Sequence, residues 1–350
     1  MKDVIKPLYL ENEVLYVLDQ KKLPLIEDYV TVSTVEGAFA AIQEMVVRGA
    51  PLIGITALWG MAFWMKNHPN GTVEELTSAG EYLKTSRPTA VNLEYEVTRS
   101  VKIGELFHKD HGSFSNSFPE MVEFILTETS RLAKSNLQMA QSAREFLDKY
   151  HKKDKYKILT VCNTGNLACG ERGTALGAIK YLNDMKRLDQ VWVCETRPYL
   201  QGARLTSYEL VKEGIPHKII VEGALANIMK SGEVDAVFIG ADRIVSNGDT
   251  ANKIGSATAA IVAKFFEVPF FVLAPSSSFD LTMNFGEEIK IEIRDEEEIL
   301  SLKDKRIAPH EAHAYNPSFD VTSRDNITAI FCEKGTVHPV NASNVMGVLQ

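Results

Sequence analysis

Apolar residues recur at helical spacing through most of the first part of the chain. Leu8–Asp19 is the exception, because it reads as two short strands. Leu52–Met65 is apolar throughout and predicts a buried helix. Ser33–Glu36 and Ser117–Glu120 match the S/T-x-x-E capping box. In such a box the side chain at each end accepts a hydrogen bond from the backbone N–H of the opposite end. Each match therefore predicts a helix start. The second helix keeps three- and four-residue apolar steps up to the charged stretch 151–155.

Beyond residue 156 the pattern changes to short apolar runs that alternate with helical patterns. The runs are 157–162, 191–195, 217–221, 235–240 and 269–274. The helical patterns lie around 172–186, 203–213, 223–231 and 252–266. Such alternation is typical of a parallel sheet covered by helices on both faces. The sequence therefore predicts an α/β fold, with a mainly helical domain at 1–130 and a doubly wound parallel-sheet domain at 131–350.

Composition and charge narrow the classes of protein and partner. The 350-residue chain is 45% hydrophobic and 24% charged, which is ordinary for a globular protein of roughly two domains. Lys and Arg number 38 against 46 Asp and Glu, so the net charge is −8, which argues against nucleic acid held by bulk charge. The longest uncharged apolar stretch, Pro51–Met65, is shorter than the about 20 residues that a membrane helix needs, so no membrane partner is expected.

The cysteines and the first residues bear on compartment and cofactors. Cys162, Cys169, Cys194 and Cys332 show no zinc-ligand spacing. The opening MKDVIKPLYLENE lacks the apolar core of a signal peptide, so thiols in a reducing cytoplasm are expected. Walker, dinucleotide, nucleophile-elbow and H-E-x-x-H motifs do not occur, and no cofactor is predicted.

Polar and glycine-rich residues crowd where the predicted strands end. Ligands of open α/β sheets bind beyond the carboxyl ends of the strands. Cys162 ends the first of these strands, and Asp242 closely follows the fourth. A carboxyl group walled by apolar strands could exchange protons near neutral pH. The commoner interpretations are a helix cap for Asp242 and a small buried side chain for Cys162.

Three further segments carry candidate binding residues. Asn252 and Lys253 are predicted to open a helix, whose N–H groups together with the lysine would bind phosphate. Arg48 precedes the apolar helix, and Arg87 lies in a proline-containing turn, although arginines are more often ordinary surface charge. Composition and spacing thus indicate a polar site at one edge of the sheet and do not name a reaction.

Long segments between about residue 46 and residue 322 carry a resemblance to a known family. They are VVRGAPLIG (46–54), SRPTAVNL (86–93), CNTGNLA (162–168), GTALGAI (173–179), ETRPYLQGARLTSYEL (195–210), VDAVFIGADRIVSNGDTANKIG (234–255) and RIAPHEAHAYNPSFDVT (306–322). Through them the chain resembles the methylthioribose-1-phosphate isomerases, which are related to the regulatory subunits of translation initiation factor two-B. The resemblance implies a small, mainly helical N-terminal domain on a Rossmann-like C-terminal domain, usually as a homodimer.

The resemblance also implies a reaction, an aldose–ketose isomerisation without metal or nucleotide cofactor. The sugar phosphate would be 5-methylthioribose 1-phosphate, converted in methionine salvage to the ribulose 1-phosphate through a phosphorylated enol. By position, Cys162 and Asp242 would be the catalytic pair. Asp242 would serve the ring and hydroxyl oxygens, and Cys162 would either shuttle the carbon-bound proton or stabilise the intermediate. The residues implied to hold phosphate and sugar hydroxyls are Arg48, Gly49, Ala50, Arg87, Gln201, Asn252 and Lys253.

The chain departs from the family's usual pattern near the cysteine. Val161 stands where His is common, and Cys194 stands where Asp is common. Asn166 replaces a small alanine and could change the wall that meets the 5-position group. An isomerase of 5-deoxyribose 1-phosphate, in 5-deoxyribose disposal, is therefore the main alternative. A non-enzymatic regulatory subunit is the alternative from another class, and that branch is expected to lack the Cys/Asp pair.

Overall fold

The computed structural model describes residues 5–87, 91–302 and 305–350, which form two compact units. The N-terminal unit holds the described chain from Ile5 to Lys134 together with Asn166–Gly173. The C-terminal unit holds Ser135–Gly165 and Thr174–Gln350. Pro88–Ala90 of the SRPTAVNL segment lie outside the described residues.

A three-stranded antiparallel sheet and a group of helices make up the N-terminal unit. Its strands are β1 (Leu8–Glu11), β2 (Val14–Leu18) and β3 (Tyr29–Val32). Its helices are α1 (Val35–Gln43), α2 (Ala50–Asn67), α3 (Val73–Lys84), α4 (Val91–His111), the first part of α5 (Ser117–Tyr150) and α6 (Asn166–Cys169). Every residue of α2 from Leu52 to Met65 is buried, which confirms the predicted buried helix and puts it at the centre of this unit's core.

Helices α1 and α5 start close to the two predicted positions, but neither predicted capping box forms as predicted. The cap of α1 is Thr34, whose hydroxyl oxygen accepts from the Gly37 N–H, one residue later than the predicted Ser33. Ser117 lies inside α5, and its buried hydroxyl has no hydrogen-bond partner among the described residues. A reciprocal box does form at Thr72–Glu75, at the start of α3. The S/T-x-x-E spacing alone does not decide which of several neighbouring hydroxyl residues becomes the cap.

Short strands and helices alternate through the C-terminal unit, as predicted. The strands are β4 (Tyr156–Val161), β5 (Leu188–Glu195), β6 (His217–Val221), β7 (Ala236–Ile239), β8 (Arg243–Val245), β9 (Thr250–Lys253), β10 (Phe270–Leu273), β11 (Phe279–Asp280), β12 (Ser301–Leu302), β13 (Lys305–Arg306), β14 (Phe319–Thr322), β15 (Ala329–Cys332) and β16 (Gly335–Val337). The helices are the last part of α5, α7 (Ala175–Asp184), α8 (Ser207–Lys212), α9 (Leu225–Lys230), α10 (Ser256–Phe265), α11 (Glu297–Leu300) and α12 (Ala342–Leu349). Among the helices that the structure describes, none is long and apolar enough to cross a membrane.

A seven-stranded sheet forms the centre of this unit, in the order β16-β15-β10-β7-β4-β5-β6. Its strands run parallel except for β16 at one edge. Successive side chains of a strand point to opposite faces. Ile158 accordingly packs with α5 and α7 in one apolar cluster, whereas Leu159 packs with α9 and α10 in another. Helices therefore cover both faces, and the predicted doubly wound α/β fold is confirmed.

A second, four-stranded sheet follows β7 and has the order β11-β8-β9-β14. Strand β9 lies between β8 and β14 and pairs with both in antiparallel register. The predicted helix at 252–266 is therefore wrong at its start, because residues 250–253 are a strand and α10 begins only at Ser256. This sheet carries two of the predicted site residues.

Candidate active site

The carboxyl ends of three adjacent parallel strands bring chemically active side chains to one edge of the large sheet. Strand β4 lies between β7 and β5 in this sheet. Cys162 directly follows β4, Glu195 ends β5, and Asp242 comes shortly after β7. The loops at this edge pack tightly, since a Cβ atom on Gly240 would lie 2.8 Å from the side chain of Thr164. The structure thus places these residues at one edge of the sheet, and their role as a site stays a prediction.

Cys162 is half-buried and is held in the left-handed region, with φ of 67°. Its Sγ donates a hydrogen bond of 3.2 Å to Oε1 of Gln201. Its carbonyl oxygen accepts a hydrogen bond of 2.6 Å from the hydroxyl of Thr206. The predicted catalytic thiol and the predicted substrate-binding amide are therefore in direct contact.

A π-helical turn, Gly202–Thr206, begins right after Gln201 and continues into α8. Gly202 lies so close to the end of β5 that an added Cβ would be 2.5 Å from the Cys194 carbonyl oxygen. Gln201 itself is only 3% exposed. Single π-helical turns inside α-helices often occur at functional sites, because they re-aim side chains. Here the turn directly follows the residue that contacts the thiol.

Asp242 is half-buried and precedes a strand, so its interpretation as a helix cap is wrong. Its backbone N–H donates 2.9 Å to the carbonyl oxygen of Ala251, next to Asn252. The following residue, Arg243, forms an ion pair of 3.3 Å with Asp280. Asp242 thus joins the end of the large sheet to the strand that carries Asn252 and Lys253.

Asn252 and Lys253 lie on β9 rather than on a helix start, and both are more than nine-tenths buried. Nδ2 of Asn252 donates 2.9 Å to the hydroxyl of Ser256. Nζ of Lys253 donates 2.8 Å to the carbonyl oxygen of Ser318 and lies 4.1 Å from the ring centre of Phe319. The strand pairing, and not a helix terminus, therefore orients these side chains.

The N-terminus of α10 is occupied by a carboxylate that the sequence analysis missed. Asp320, on β14, accepts hydrogen bonds of 2.7 Å and 3.0 Å from the N–H groups of Gly255 and Ala257. Burial raises the pKa of Asp320 to about 6, although these hydrogen bonds act in the opposite direction. The prediction that N–H groups at this helix start bind phosphate is therefore wrong, because those of Gly255 and Ala257 donate to Asp320. The segment RIAPHEAHAYNPSFDVT contains Asp320, but spacing alone gave no signal for this contact.

Glu195 is a second carboxylate at this edge that was not predicted as a site residue. It accepts hydrogen bonds of 2.8 Å from the Thr196 N–H and 2.5 Å from the Ala203 N–H. Burial raises the pKa of Glu195, and burial lowers the pKa of the neighbouring Arg204 guanidinium. Glu195 thereby fixes the loop that leads from β5 to Gln201.

The remaining predicted residues, Arg48, Gly49, Ala50 and Arg87, belong to the N-terminal unit. Gly49 caps α2 with φ of 83°, and a Cβ there would lie 2.3 Å from the carbonyl oxygen of Ala168 in α6. Arg48 and Arg87 are half-buried. Their assignment to phosphate, like that of the other site residues, stays a prediction.

Asn166, where the family commonly has alanine, is buried in α6 of the same unit. Its Nδ2 donates 3.4 Å to the carbonyl oxygen of Ile5. The backbone of the next residue is held as well, because Nε2 of Gln20 donates 2.6 Å to the Leu167 carbonyl oxygen. The amide at position 166 thus has a packing role within its unit, and its effect on substrate choice stays a prediction.

The thiols differ in their surroundings. Cys169, Cys194 and Cys332 are buried, whereas Cys162 is half-buried. Burial raises the pKa of Cys194 to about 12, which disfavours its thiolate form at neutral pH. Within residues 5–87, 91–302 and 305–350, no group of three or more His, Cys, Asp or Glu side chains could hold a metal ion.

Sequence comparisons identify the family. The Initiation factor 2 subunit family matches residues 46–339. Methylthioribose-1-phosphate isomerase of Caldicellulosiruptor saccharolyticus is 40% identical over 346 residues, which cover 97% of this chain and 98% of the relative. The methylthioribose-1-phosphate isomerase of Thermotoga petrophila is 41% identical over 355 residues. The alignment covers 100% of this chain and 99% of that relative. The chain belongs to the methylthioribose-1-phosphate isomerase family.

Solved structures agree with this family. A 5-methylthioribose 1-phosphate isomerase from Pyrococcus horikoshii is 37% identical, with a TM-score of 0.86 and coverage of 99% of this chain and 96% of that one. A structure titled translation initiation factor eIF-2B subunit delta, from A. fulgidus, is 32% identical, with a TM-score of 0.86 and 99% coverage of both chains. Both matches confirm the expected fold, and the first agrees with membership of the isomerase family. Because proteins titled as isomerase and as initiation-factor subunit share one fold, the fold alone does not determine the activity.

Proposed function

We propose that this chain converts 5-methylthioribose 1-phosphate to 5-methylthioribulose 1-phosphate, the aldose–ketose isomerisation of methionine salvage. The observation that carries the proposal is the contact of the Cys162 thiol with Gln201, next to the strand end that leads to Asp242. Near-complete alignment at about 40% identity with proteins named for this reaction supports it. The regulatory-subunit alternative does not explain why the chain keeps this pair.

The reaction requires proton movements at oxygen and at carbon. A proton passes to the ring oxygen as the bond between that oxygen and C1 breaks, and the C2 proton leaves to give a 1-phosphorylated enol. The C2 hydroxyl then loses its proton while C1 gains one, which yields the ketose and restores both enzyme groups. Asp242 is proposed to exchange protons with the ring and hydroxyl oxygens. Cys162 either carries the proton from C2 to C1 or stabilises the enol.

Binding groups for the phosphate and hydroxyls complete the proposal. Lys253 supplies a buried ammonium group, and Asn252 supplies an amide on the same strand. Arg48, Gly49, Ala50 and Arg87 are assigned to phosphate and sugar by the family resemblance, and guanidinium groups suit bidentate phosphate contacts. The α10 N-terminus is left out, because Asp320 accepts from two of its N–H groups. The family resemblance further supports a homodimer.

The first test compares substrates. Purified protein is incubated separately with 5-methylthioribose 1-phosphate and 5-deoxyribose 1-phosphate, and kcat/KM for ketose formation is measured. A ratio that strongly favours the methylthio substrate is expected. A comparable or reversed ratio would assign the protein to 5-deoxyribose disposal, and absence of turnover with either would favour the regulatory subunit.

The second test removes the catalytic groups one at a time. Cys162→Ser and Asp242→Asn are each expected to lower kcat by about 100-fold or more, the usual size of acid–base contributions. Cys332→Ser is the control for the thiol, because a serine hydroxyl can keep the hydrogen bond that Cys332 donates to the Gly335 carbonyl oxygen. Full isomerase activity in either catalytic variant would contradict the proposed roles.

A further inference from the structure

A buried charge cluster lies behind the turn that carries Cys162. Glu209, on α8, is fully buried, and its Oε2 lies 2.9 Å from Nζ of Lys180. The same ammonium group lies 2.5 Å from Oε1 of Glu213. Oε1 of Glu209 accepts a hydrogen bond of 2.9 Å from Nδ2 of Asn163, the residue after Cys162. One carboxylate thus connects a buried cation to the cysteine turn.

The turn is shaped to accept this carboxylate. A Cβ atom on Gly165 would lie only 2.2 Å from Oε2 of Glu209, so the carboxylate occupies the space where a side chain would stand. Burying a charge is costly unless it is paired and hydrogen-bonded, and Glu209 has both kinds of partner. If Glu209 only filled space in the core, an apolar side chain would serve equally well.

The segment that runs from Gln201 through the π-helical turn to Glu209 on α8 contacts the turn around Cys162 at three points. Gln201 accepts from the thiol, Thr206 donates to the Cys162 carbonyl oxygen, and Glu209 accepts from Asn163. These contacts surround a non-glycine residue with φ of 67°. Such a conformation is strained and persists only where its surroundings over-determine it.

We infer that Glu209 is a positioning residue, which holds the Cys162–Asn163 turn so that the thiol stays aimed into the reaction site. The inference rests on the proposed function, because it treats Cys162 as catalytic. Glu209 does so through its two oxygens, one for Lys180 and one for Asn163. A glutamine carries an NH2 donor in place of one carboxylate oxygen, so one of these two donors would face another donor instead of an acceptor.

The test compares Glu209→Gln with Glu213→Gln. Both substitutions remove a carboxylate from Lys180, but only Glu209 contacts Asn163. Glu209→Gln is expected to lower kcat by about 10- to 100-fold with KM nearly unchanged, as for a small misplacement of a reacting group. Glu213→Gln is expected to keep kcat close to that of the unaltered protein.

A second readout follows the thiol itself, independently of turnover. The rate constant for alkylation of Cys162 by iodoacetamide is measured by mass spectrometry, with Cys162→Ser giving the background from the buried cysteines. Glu209→Gln is expected to raise this rate constant several-fold, because the loosened turn exposes the sulfur. Alkylation of Cys194, which is buried in the folded protein, is followed in the same samples and reports unfolding, so only a rise at Cys162 without a matching rise at Cys194 supports the inference.

A milder pair of variants covers the case in which Glu209→Gln does not fold. Thr206→Val removes the hydroxyl that donates to Cys162, and Thr206→Ser keeps it. The valine variant is expected to show lowered kcat and faster alkylation, and the serine variant is expected to restore both. Unchanged kcat and alkylation in Glu209→Gln and Thr206→Val, or an equal effect of Glu213→Gln, would overturn the inference. Full activity of Cys162→Ser would instead overturn the proposed function, while the alkylation result would still decide the positioning role.

Discussion

The thiol of Cys162 donates a hydrogen bond of 3.2 Å to the side-chain oxygen of Gln201, 39 positions further along the chain. The two residues follow adjacent strands, β4 and β5, whose registers match up to Val161 and Cys194. The thiol has one proton, and Gln201 is its nearer acceptor, since the carbonyl oxygen of Asn163 lies 3.8 Å from the sulfur. This contact makes Gln201 a partner of the thiol as well as a candidate ligand of the sugar.

Replacing the acceptor should impair the proposed chemistry. Gln201→Leu removes the amide oxygen while keeping a side chain of similar bulk, and we expect kcat/KM for ketose formation to fall by about 10-fold or more. Gln190→Leu serves as the control, because Gln190 lies near the start of β5, where its side chain donates to the carbonyl oxygen of the adjacent Val191. Equal activity of the two variants would contradict a role for Gln201.

The buried ammonium group of Lys253 should affect substrate binding more than turnover. Lys253→Met is expected to raise KM by about 10- to 100-fold with a small change in kcat, because a phosphate contact is made in ground state and transition state alike. Lys264→Met is the matched control, since Lys264 also donates 2.8 Å to a backbone carbonyl oxygen, that of Asp325. A Lys253 variant with unchanged KM would remove this residue from the proposed phosphate site.

Asp320 should make the stability of the protein depend on pH. Its pKa is raised from 3.8 to about 6, chiefly by burial, so the folded protein holds this proton more tightly than the unfolded chain. The stability that results is fully present below pH 3.8 and is lost as pH rises through about 6. A rise of this size corresponds to a loss on the order of 3 kcal/mol.

The measurement is urea unfolding between about pH 4 and about pH 7. The free energy of unfolding should fall with pH relative to that of Asp320→Asn, which cannot ionise. For Asp325→Asn, at an exposed aspartate, the free energy of unfolding should change with pH in the same way as for the unaltered protein. If the free energy of unfolding of Asp320→Asn also changed with pH as in the unaltered protein, burial would not raise the pKa of Asp320.

Gly49 should be far less replaceable than another glycine of the same unit. Gly49 and Gly112 have φ of 83° and 74°, so an alanine is strained by roughly 1–2 kcal/mol at either site. Only at Gly49 would the new Cβ meet backbone, 2.3 Å from the Ala168 carbonyl oxygen, whereas Gly112 has nothing within 4 Å. Thermal unfolding should therefore show a much larger drop in Tm for Gly49→Ala than for Gly112→Ala. Similar drops would mean that α6 moves away at little cost.

The parallel sheet was predictable because its signal is local. Each apolar run, such as 269–274, became a strand whose ends lie within three residues of the prediction, since burial on both faces demands continuous apolar sequence. Cys162 and Asp242 could be selected for the same reason, as each stands close behind such a run. Family resemblance then supplied the roles that local pattern could not.

The error at Asn252 and Lys253 arose from pairing at long range. The sequence around them, DTANKIGSATAA, has the polar start and small residues of a helix. Residues 250–253 are a strand because β14 and β8 supply its backbone partners, and β14 begins only at Phe319. The contact of Glu209 with Asn163 was hidden likewise, since 46 positions separate the two residues.

The pairing of β9 with β14 has a consequence for the order in which the chain becomes active during synthesis. Lys253 leaves the ribosome well before Ser318 and Phe319, which later hold its ammonium group. A growing chain that already contains Cys162, Gln201 and Asp242 therefore still lacks a fixed cation. A translation product that stops before Phe319 would carry the proposed catalytic groups and yet bind sugar phosphate poorly, so the activity is expected to appear only near the end of translation.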